Sequence, residues 1–201
     1  MTILGITGGT GAGKTTALRA LTTLNACIID ADAVYHELTI HSLELRRELE
    51  ARFGSLYHDE ELDRKKLGNL VFNDEKALSD LNAITHRLIG QEINRLLQEA
   101  KAEGRRVAAI DAIGLLESGL GDRCDYTVAI VAPPELRIRR IMKREGISEE
   151  YARLRVLAQK EEAYFRANCD YVLENREEDT EKQFSARALA LFLEILKNKE
   201  R

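Results

Sequence analysis

The feature that most constrains this chain is a glycine-rich stretch near its N-terminus, with five glycines among residues 5–13. Within it, Gly8-x-x-x-x-Gly13-Lys14-Thr15 has the spacing of a phosphate-binding loop. The apolar run ILGI (3–6) precedes the loop, and a stretch with helical character, TTALRALTTL, follows it. A strand, a flexible loop and a helix in this order predict a backbone cradle for a polyphosphate.

The residue types at the end of this loop indicate how it would bind its anion. Lys14 is predicted to reach the β- and γ-phosphates, and the hydroxyl of Thr15 is predicted to bind Mg²⁺. The helix that follows would direct the positive end of its dipole toward the phosphates. The alternative is a glycine-rich turn without a ligand, which the agreement of strand, loop and helix disfavours.

Apolar runs separated by long helix-like stretches indicate the fold class. After ILGI they are ACIID (26–30), RVAAID (106–111), YTVAIVA (126–132) and YVLEN (171–175). They lack a clean polar and apolar alternation, as expected of strands covered on both faces, so we predict an α/β fold whose five-stranded parallel sheet is flanked by helices. About 75 residues between the second and third runs contain no convincing strand and are predicted to form a helical insertion.

Three aspartates follow predicted strands. Asp30 and Asp32 come after the second run, and Asp111 ends the third. Ligand sites of parallel sheets form beyond the carboxyl ends of strands, so Asp30 or Asp32 could accept a proton from a substrate hydroxyl. Either could instead cap the helix that begins near Ala33. Asp111 could face a metal ion or its waters, or could be a plain turn residue.

The segment RIRRIMKR (137–144) is strongly basic. At about 100° per residue, Arg137, Arg140 and Arg144 lie on one face of a helix. Such a stripe could stabilise the charge of a transferring phosphoryl group and close over it as a lid. The alternative is a solvated basic face, but the phosphate loop elsewhere in the chain favours contact with phosphate.

Charge and composition exclude other classes. The net charge of −4 gives no general attraction for nucleic acid. No apolar run approaches the roughly 18 residues that span a bilayer, and the N-terminus has no signal-peptide pattern. We therefore expect a cytoplasmic protein without nucleic-acid or membrane partners, either a monomer or a small homo-oligomer.

The sequence offers two alternatives to a specific kinase. DAIG (111–114) matches the D-x-x-G of regulatory GTPases, which would make the protein a nucleotide-dependent switch. The guanine-reading N-K-x-D is missing, because the only Asn-Lys pair, Asn198-Lys199, is followed by Glu200-Arg201. Phosphoryl transfer to a small molecule is therefore favoured, and the residues alone leave open a kinase of another small nucleotide or metabolite.

The chain resembles the dephospho-CoA kinases over nearly its whole length. The resemblance rests on TGGTGAGKTT, IIDADAVYHEL, LDRKKLGNLVF, LNAITHRLI, LLESGL, RRIMKRE and AQKEEAYFRANCDYVLEN. It implies ATP-dependent, Mg²⁺-dependent phosphorylation of the ribose 3′-hydroxyl of dephospho-CoA, the last step of coenzyme A biosynthesis. ATP and dephospho-CoA are then the expected small-molecule substrates.

The resemblance also implies a three-layer P-loop NTPase fold in a single kinase domain, 1–201. Its core would comprise 1–54, 105–135 and 161–201. The helical CoA-binding insertion would be 55–104 and the helical lid 136–160.

The same resemblance implies site residues. Asp32 matches the catalytic base, with Lys14 and Arg140 as further catalytic residues, and His86 and Asp111 are placed on the substrate side. Without the resemblance, His86 would be a surface or packed residue. The predicted ATP-binding residues are Gly8, Gly11, Ala12, Gly13, Lys14, Thr15, Thr16 and Arg144.

Two further residues match the family pattern without an assigned role, Gln159 and Asn175. The chain departs from the pattern at three places: Ile113-Gly114 replaces a usual Pro-Leu, Arg87 replaces a proline, and Arg137 replaces a common Gln. A lost proline frees φ and restores a backbone donor, so local backbone shape is expected to differ there.

Overall fold

The computed structural model describes residues 1–58 and 61–199. Its strands are β1 (Thr2–Thr7), β2 (Cys27–Asp30), β3 (Tyr57–His58), β4 (Glu61–Leu62), β5 (Val107–Asp111), β6 (Tyr126–Val131) and β7 (Tyr171–Glu174). Its helices are α1 (Lys14–Thr22), α2 (Ala31–His41), α3 (Leu43–Phe53), α4 (Arg64–Val71), α5 (Glu75–Ala102), α6 (Pro134–Glu145), α7 (Glu149–Leu157), α8 (Glu162–Asn168) and α9 (Glu181–Lys199), with a 3₁₀ helix at Leu120–Arg123.

The five predicted strands form one parallel sheet in the order β2-β5-β1-β6-β7. β1 lies at its centre, with Ile6 opposite Asp111 of β5 and Thr7 opposite Ala129 of β6. Helices cover both faces: in β6, Val128 and Ile130 are buried in the core with α1 and α9, whereas Ala129 and Val131, which point to the opposite face, are buried with Phe165 of α8. Burial on both faces explains why these strands lack alternation. The predicted fold class is confirmed.

The chain divides into two compact units, which are described separately. The first comprises residues 1–28 and the described residues from 100 onward. Its core lies between the sheet and helices α1 and α9, where Phe184 and Phe192 are among the largest fully buried side chains. α9 begins with a capping box, in which the backbone N–H of Thr180 donates to Gln183 Oε1 at 2.9 Å and that of Gln183 donates to Thr180 Oγ1 at 3.3 Å.

The second unit comprises residues 29–99, in which helices α2, α3, α4 and most of α5 surround a leucine-rich core. Ser42 separates α2 from α3 and caps the latter, accepting from the N–H of Leu45 at 3.1 Å. The helical prediction is correct for most of this stretch. The expectation that it contains no strand is wrong, because β3 and β4 pair antiparallel, with Tyr57 opposite Leu62. Two-residue strands are too short to show an alternating pattern.

The long helix α5 runs for 28 residues and ends just before a glycine, Gly104. Gly104 has φ of +77°, and its N–H donates to the carbonyl of Lys101 at 3.1 Å. Among the helices of residues 1–58 and 61–199, none combines the length and apolar character needed to cross a membrane.

Candidate active site

The phosphate loop follows β1 at the carboxyl edge of the sheet, and its glycines adopt conformations that other residues avoid. Gly8 has φ of +133° and Gly13 has φ of +109°. A Cβ at Gly8 would lie 2.0 Å from the carbonyl oxygen of Ile130, and one at Gly13 would lie 2.3 Å from Nδ2 of Asn175. The flexibility of glycine is therefore required at these positions of the loop.

Helix α1 begins directly after this loop, and its first turn has free donors. Gly13 precedes the helix in a left-handed conformation, and no side chain caps the helix within the described residues. The first intrahelical bonds come from the N–H groups of Thr16 and Ala17, which donate to the carbonyl of Gly13. The preceding N–H groups therefore have no acceptor within the helix, and with the helix dipole they suit an anion.

The lysine of the loop is paired with the aspartate at the end of β5. Lys14 Nζ lies 3.0 Å from Asp111 Oδ1, and the two side chains are only 15% and 16% exposed. The register that places Ile6 opposite Asp111 brings the two groups together. Here the carboxylate neutralises the lysine, a role that the negative oxygens of a bound phosphate can take over.

Arg137 of α6 is buried against the phosphate loop with only 8% of its surface exposed. Its Nε donates to the carbonyl of Thr10 at 3.0 Å, and its Nη2 donates to Oε1 of Gln159. Gln159 in turn bonds Thr10 twice, accepting from its N–H and donating to its Oγ1, both at 2.9 Å. Burial lowers the pKa of Arg137 below its usual value. The three residues form a closed network at the tip of the loop.

One turn further along α6, Arg140 contacts the next part of the loop. Its Nη1 donates to the carbonyls of Gly11 at 3.3 Å and Ala12 at 3.5 Å, and its Nη2 donates to Oδ1 of Asn175 at 3.1 Å. Asn175, which is 4% exposed, donates from Nδ2 to the carbonyl of Ala12 at 2.9 Å. Burial, with the nearby charge of Arg139, lowers the pKa of Arg140.

Arg144 differs from the other two arginines of the predicted stripe. Its side chain is 58% exposed and pairs with its neighbour Glu145 at 2.6 Å. The three arginines therefore have different environments. Arg137 and Arg140 form hydrogen bonds with the loop, whereas Arg144 is solvated, as the alternative of a solvated basic face would have it.

A cavity of about 320 Å³ lies beside the loop in the same unit. It is bordered by Gly9, the end of β6, Arg137, Gln159 and Phe165, among others. Ligand sites of proteins have volumes from about 300 Å³ upward. The Arg137 network therefore lies next to a space large enough for part of a ligand.

In the second unit, Asp30, the last residue of β2, and Asp32 have different environments. Asp30 Oδ1 accepts from the N–H of Asp32 at 2.9 Å and from that of Ala33 at 3.1 Å, so Asp30 caps α2. Asp32 lies in the first turn of that helix and is exposed. Within the described residues of 29–99, its carboxylate has no hydrogen-bond or ion-pair partner. The spacing left open which of the two aspartates caps the helix, and the structure shows that Asp30 does.

His86 lies half-buried near the middle of α5. Its neighbour Arg87, which replaces a usual proline, is exposed and pairs with Glu44 at 3.1 Å and with Glu48, both on α3. An arginine keeps the backbone donor that a proline lacks, so α5 continues without interruption through this position. The departure from the family pattern thus adds surface ion pairs within this unit.

The comparison with known proteins decides the family. The model of the dephospho-CoA kinase family matches residues 2–181. The chain belongs to the dephospho-CoA kinase family. A dephospho-CoA kinase of Corynebacterium diphtheriae is 38% identical over 177 residues, covering 87% of this chain and 88% of that protein. One of Thermobifida fusca is 34% identical over 194 residues, covering 96% and 95%. The solved dephospho-CoA kinase from Campylobacter jejuni is 26% identical, with a TM-score of 0.68 over 98% of both chains.

The side-chain hydrogen bonds that hold the phosphate loop of this dephospho-CoA kinase family member could not all be predicted from the sequence. The sequence pattern does not indicate Thr10, and it includes Gln159 and Asn175 without giving them a role. Asn175 directly follows β7 at the same sheet edge, a position that could have drawn attention to it. Thr10 gave no such signal, because its contact Gln159 is 149 residues away in sequence.

The loop after Asp111, where Ile113-Gly114 replaces the usual Pro-Leu, is anchored to β1. The N–H of Ala112 donates to the carbonyl of Ile6 at 3.1 Å, and Thr7 Oγ1 donates to the carbonyl of Ile113 at 2.9 Å. These two bonds fix the start of the loop without a proline.

Proposed function

We propose that this member of the dephospho-CoA kinase family transfers the γ-phosphoryl group of ATP to the ribose 3′-hydroxyl of dephospho-CoA. The observation that carries the proposal is the glycine loop with positive φ angles, followed by a helix start with free N–H groups and by Lys14 beside a carboxylate. This arrangement suits a nucleotide's phosphates, and membership of the family supplies the acceptor.

In this proposal the loop and its neighbours bind the triphosphate. The ATP-binding residues are Gly8, Gly11, Ala12, Gly13, Lys14, Thr15, Thr16 and Arg144. Lys14 leaves Asp111 and pairs with the β- and γ-phosphates, while Arg140, already bonded to the loop, balances the charge that develops as the phosphoryl group moves. Arg144 would have to exchange its pairing with Glu145 for a phosphate.

Asp32 is the proposed catalytic base. Because Asp30 occupies the capping role, the exposed carboxylate of Asp32 is available to accept a hydrogen bond from the 3′-hydroxyl and then its proton. The hydroxyl oxygen forms a bond to the γ-phosphorus as the bond to the bridging oxygen breaks, and ADP leaves. His86 and Asp111 are proposed to lie on the acceptor side.

The donor set fits Mg²⁺. Thr15 and Asp111 offer a hydroxyl and a carboxylate, the hard oxygen ligands that this ion prefers, and it commonly takes few protein ligands because substrate phosphates supply the rest. When bound with ATP, Mg²⁺ would neutralise charge on the β- and γ-phosphates. Thr15, exposed at the start of α1, is the proposed protein ligand.

We propose the following division of the chain, location and oligomeric state. They are the core of 1–54, 105–135 and 161–201, the CoA-binding insertion 55–104, the lid 136–160, and a cytoplasmic monomer or small homo-oligomer. Movement of the lid segment over bound ATP would exclude water during transfer.

An acceptor assay tests the function. Purified protein with ATP and Mg²⁺ is incubated separately with dephospho-CoA, AMP, CMP and shikimate, and ADP release is followed by a coupled reaction. We expect turnover with dephospho-CoA and a product with the mass of coenzyme A. Faster turnover with another acceptor would favour a kinase of a different small molecule. In a separate thermal-unfolding measurement, a larger increase in Tm with GTP than with ATP would favour a nucleotide-dependent switch.

A further inference from the structure

A buried cation without a counter-charge lies under the phosphate loop. Arg137 is 8% exposed, and no carboxylate in residues 1–58 or 61–199 forms an ion pair with it. Its recorded hydrogen-bond partners are neutral oxygens of Thr10 and Gln159. Burying an unpaired charge costs free energy, so retaining an arginine here calls for a compensating role.

The contact with Thr10 suggests what that role is. A trans peptide is planar, with its C=O and N–H pointing in opposite directions. When Arg137 Nε holds the carbonyl of Thr10, the N–H of Gly11 in the same peptide must point away from α6. Gly11 has φ of +81°, a region in which glycine has much freedom, so without an external hold this peptide could rotate.

The same rule applies one and two peptides further along. Arg140 holds the carbonyl of Gly11, while the N–H of Ala12 is used within the loop and donates to Gly9 at 3.1 Å. Asn175 holds the carbonyl of Ala12 at 2.9 Å, which turns the N–H of Gly13 to the opposite side. Carbonyls on the outside of the loop are thus bonded in succession, and Arg137 bonds the first of them.

Arg137 also fixes the loop to the segment that follows α7. Its guanidinium bonds Gln159, which bonds both the N–H and the hydroxyl of Thr10. The packing is tight, because a Cβ at Gly9 would lie 2.2 Å from Nη2 of Arg137. The planar fork of arginine can reach two acceptors at once, which neither lysine nor the glutamine common in the family can do in the same way.

The geometry points to Arg137 as a positioning residue for the ATP phosphates, which orients the N–H of Gly11 through the Thr10 carbonyl and is itself oriented by Gln159. This inference rests on the proposed function, since it concerns how that site receives ATP. It explains what arginine does in this chain at a position where the family commonly has glutamine.

The test compares ATP binding by calorimetry and steady-state kinetics for the unaltered protein and for the variants Arg137→Met, Arg137→Lys and Gln159→Met. We expect Arg137→Met to raise the Kd and KM for ATP by about tenfold to a hundredfold, with a smaller fall in kcat and little change in KM for dephospho-CoA. Arg137→Lys should be nearly as impaired, because it keeps the charge but loses the fork. In the double variant Arg137→Met with Gln159→Met, the Kd for ATP should rise by less than the product of the two single fold-changes, because both residues act on the same network.

Arg139→Met is the matched control. Arg139 is on the same helix but is exposed and pairs with Glu177, so its loss should leave ATP binding unchanged. Thermal unfolding without nucleotide identifies any variant that fails to fold. If Arg137→Met is one of these, ATP binding is compared between the unaltered protein, Arg137→Lys and Gln159→Met.

Two results would overturn the inference. Normal ATP affinity in Arg137→Met would exclude a positioning role, and full recovery in Arg137→Lys would show that charge alone matters. If the unaltered protein neither binds ATP nor phosphorylates dephospho-CoA, the proposed function fails first, and the inference fails with it.

Discussion

Asn175 allows the support of the phosphate loop to be measured as both stability and affinity. Its side chain is 4% exposed, donates to the Ala12 carbonyl at 2.9 Å and accepts from Arg140 at 3.1 Å. A neutral hydrogen bond contributes about 0.5–1.5 kcal/mol and one to a charged group about 1.5–3 kcal/mol. Asn175→Ala removes both bonds and leaves the carbonyl and the guanidinium with fewer partners. We therefore expect the free energy of unfolding to fall by about 3 kcal/mol.

For a chain of this length, that loss corresponds to a decrease in Tm of about 6–12 °C, which calorimetry can measure. The Kd for ATP should rise as well, because the peptide between Ala12 and Gly13 is no longer held. Asn168→Ala is the control: Asn168 is exposed and donates one hydrogen bond to the carbonyl of Tyr164, so its Tm should change by less than about 4 °C. An Asn175→Ala variant with unchanged Tm and unchanged Kd would refute the reasoning.

Four other substitutions or measurements test separate parts of the account. Asp32→Asn should lower turnover with dephospho-CoA by about 10²–10⁴-fold without lowering Tm, and near-normal turnover would exclude a base at this position. Asp111→Asn should lower kcat while leaving the binding of metal-free ATP at least as tight, because Lys14 loses a competing anion; weaker binding of metal-free ATP by calorimetry would contradict this. Burial raises the pKa of Cys124 to about 12, so its alkylation by iodoacetamide should accelerate about tenfold per pH unit from pH 8 to 11, and a plateau near pH 9 would be inconsistent with that burial. Arg87→Ala removes exposed ion pairs with two glutamates of α3 and should lower Tm by less than about 4 °C, so a larger loss by calorimetry would show that these pairs are stronger than surface pairs usually are.

The strands and the loop could be predicted because local sequence determines them. Each of the five apolar runs became a strand of the sheet, since burial on both faces demands apolar residues at successive positions. The glycines at 8 and 13 were required by backbone conformation, which the motif spacing encodes. The helix end at Gly104 and the capping box at Thr180 follow from equally local chemistry.

The support of the loop could not be predicted, because it depends on contacts between distant parts of the chain. Helical periodicity placed Arg137, Arg140 and Arg144 on one face of the helix, but it did not predict how buried each side chain is. Arg137 is buried and Arg144 is exposed to solvent. The partners that make the difference, Gln159 and Asn175, are on segments whose position depends on the whole fold. Periodicity gives the direction of a side chain around its helix and says nothing of what covers it.

The charges around the loop explain how a protein with net charge −4 can attract a polyphosphate. Before ATP arrives, the carboxylate of Asp111 neutralises Lys14, while the guanidinium groups of Arg137 and Arg140 bond neutral oxygens and keep their charge uncompensated by any ion pair in the described residues. The loop region is therefore locally positive in a molecule that repels anions overall, and this local field steers the phosphates to it. Once a phosphate pairs with Lys14, Asp111 loses its partner in that ion pair. The carboxylate of Asp111, no longer shared with Lys14, is then an oxygen donor for the divalent ion proposed to accompany the nucleotide.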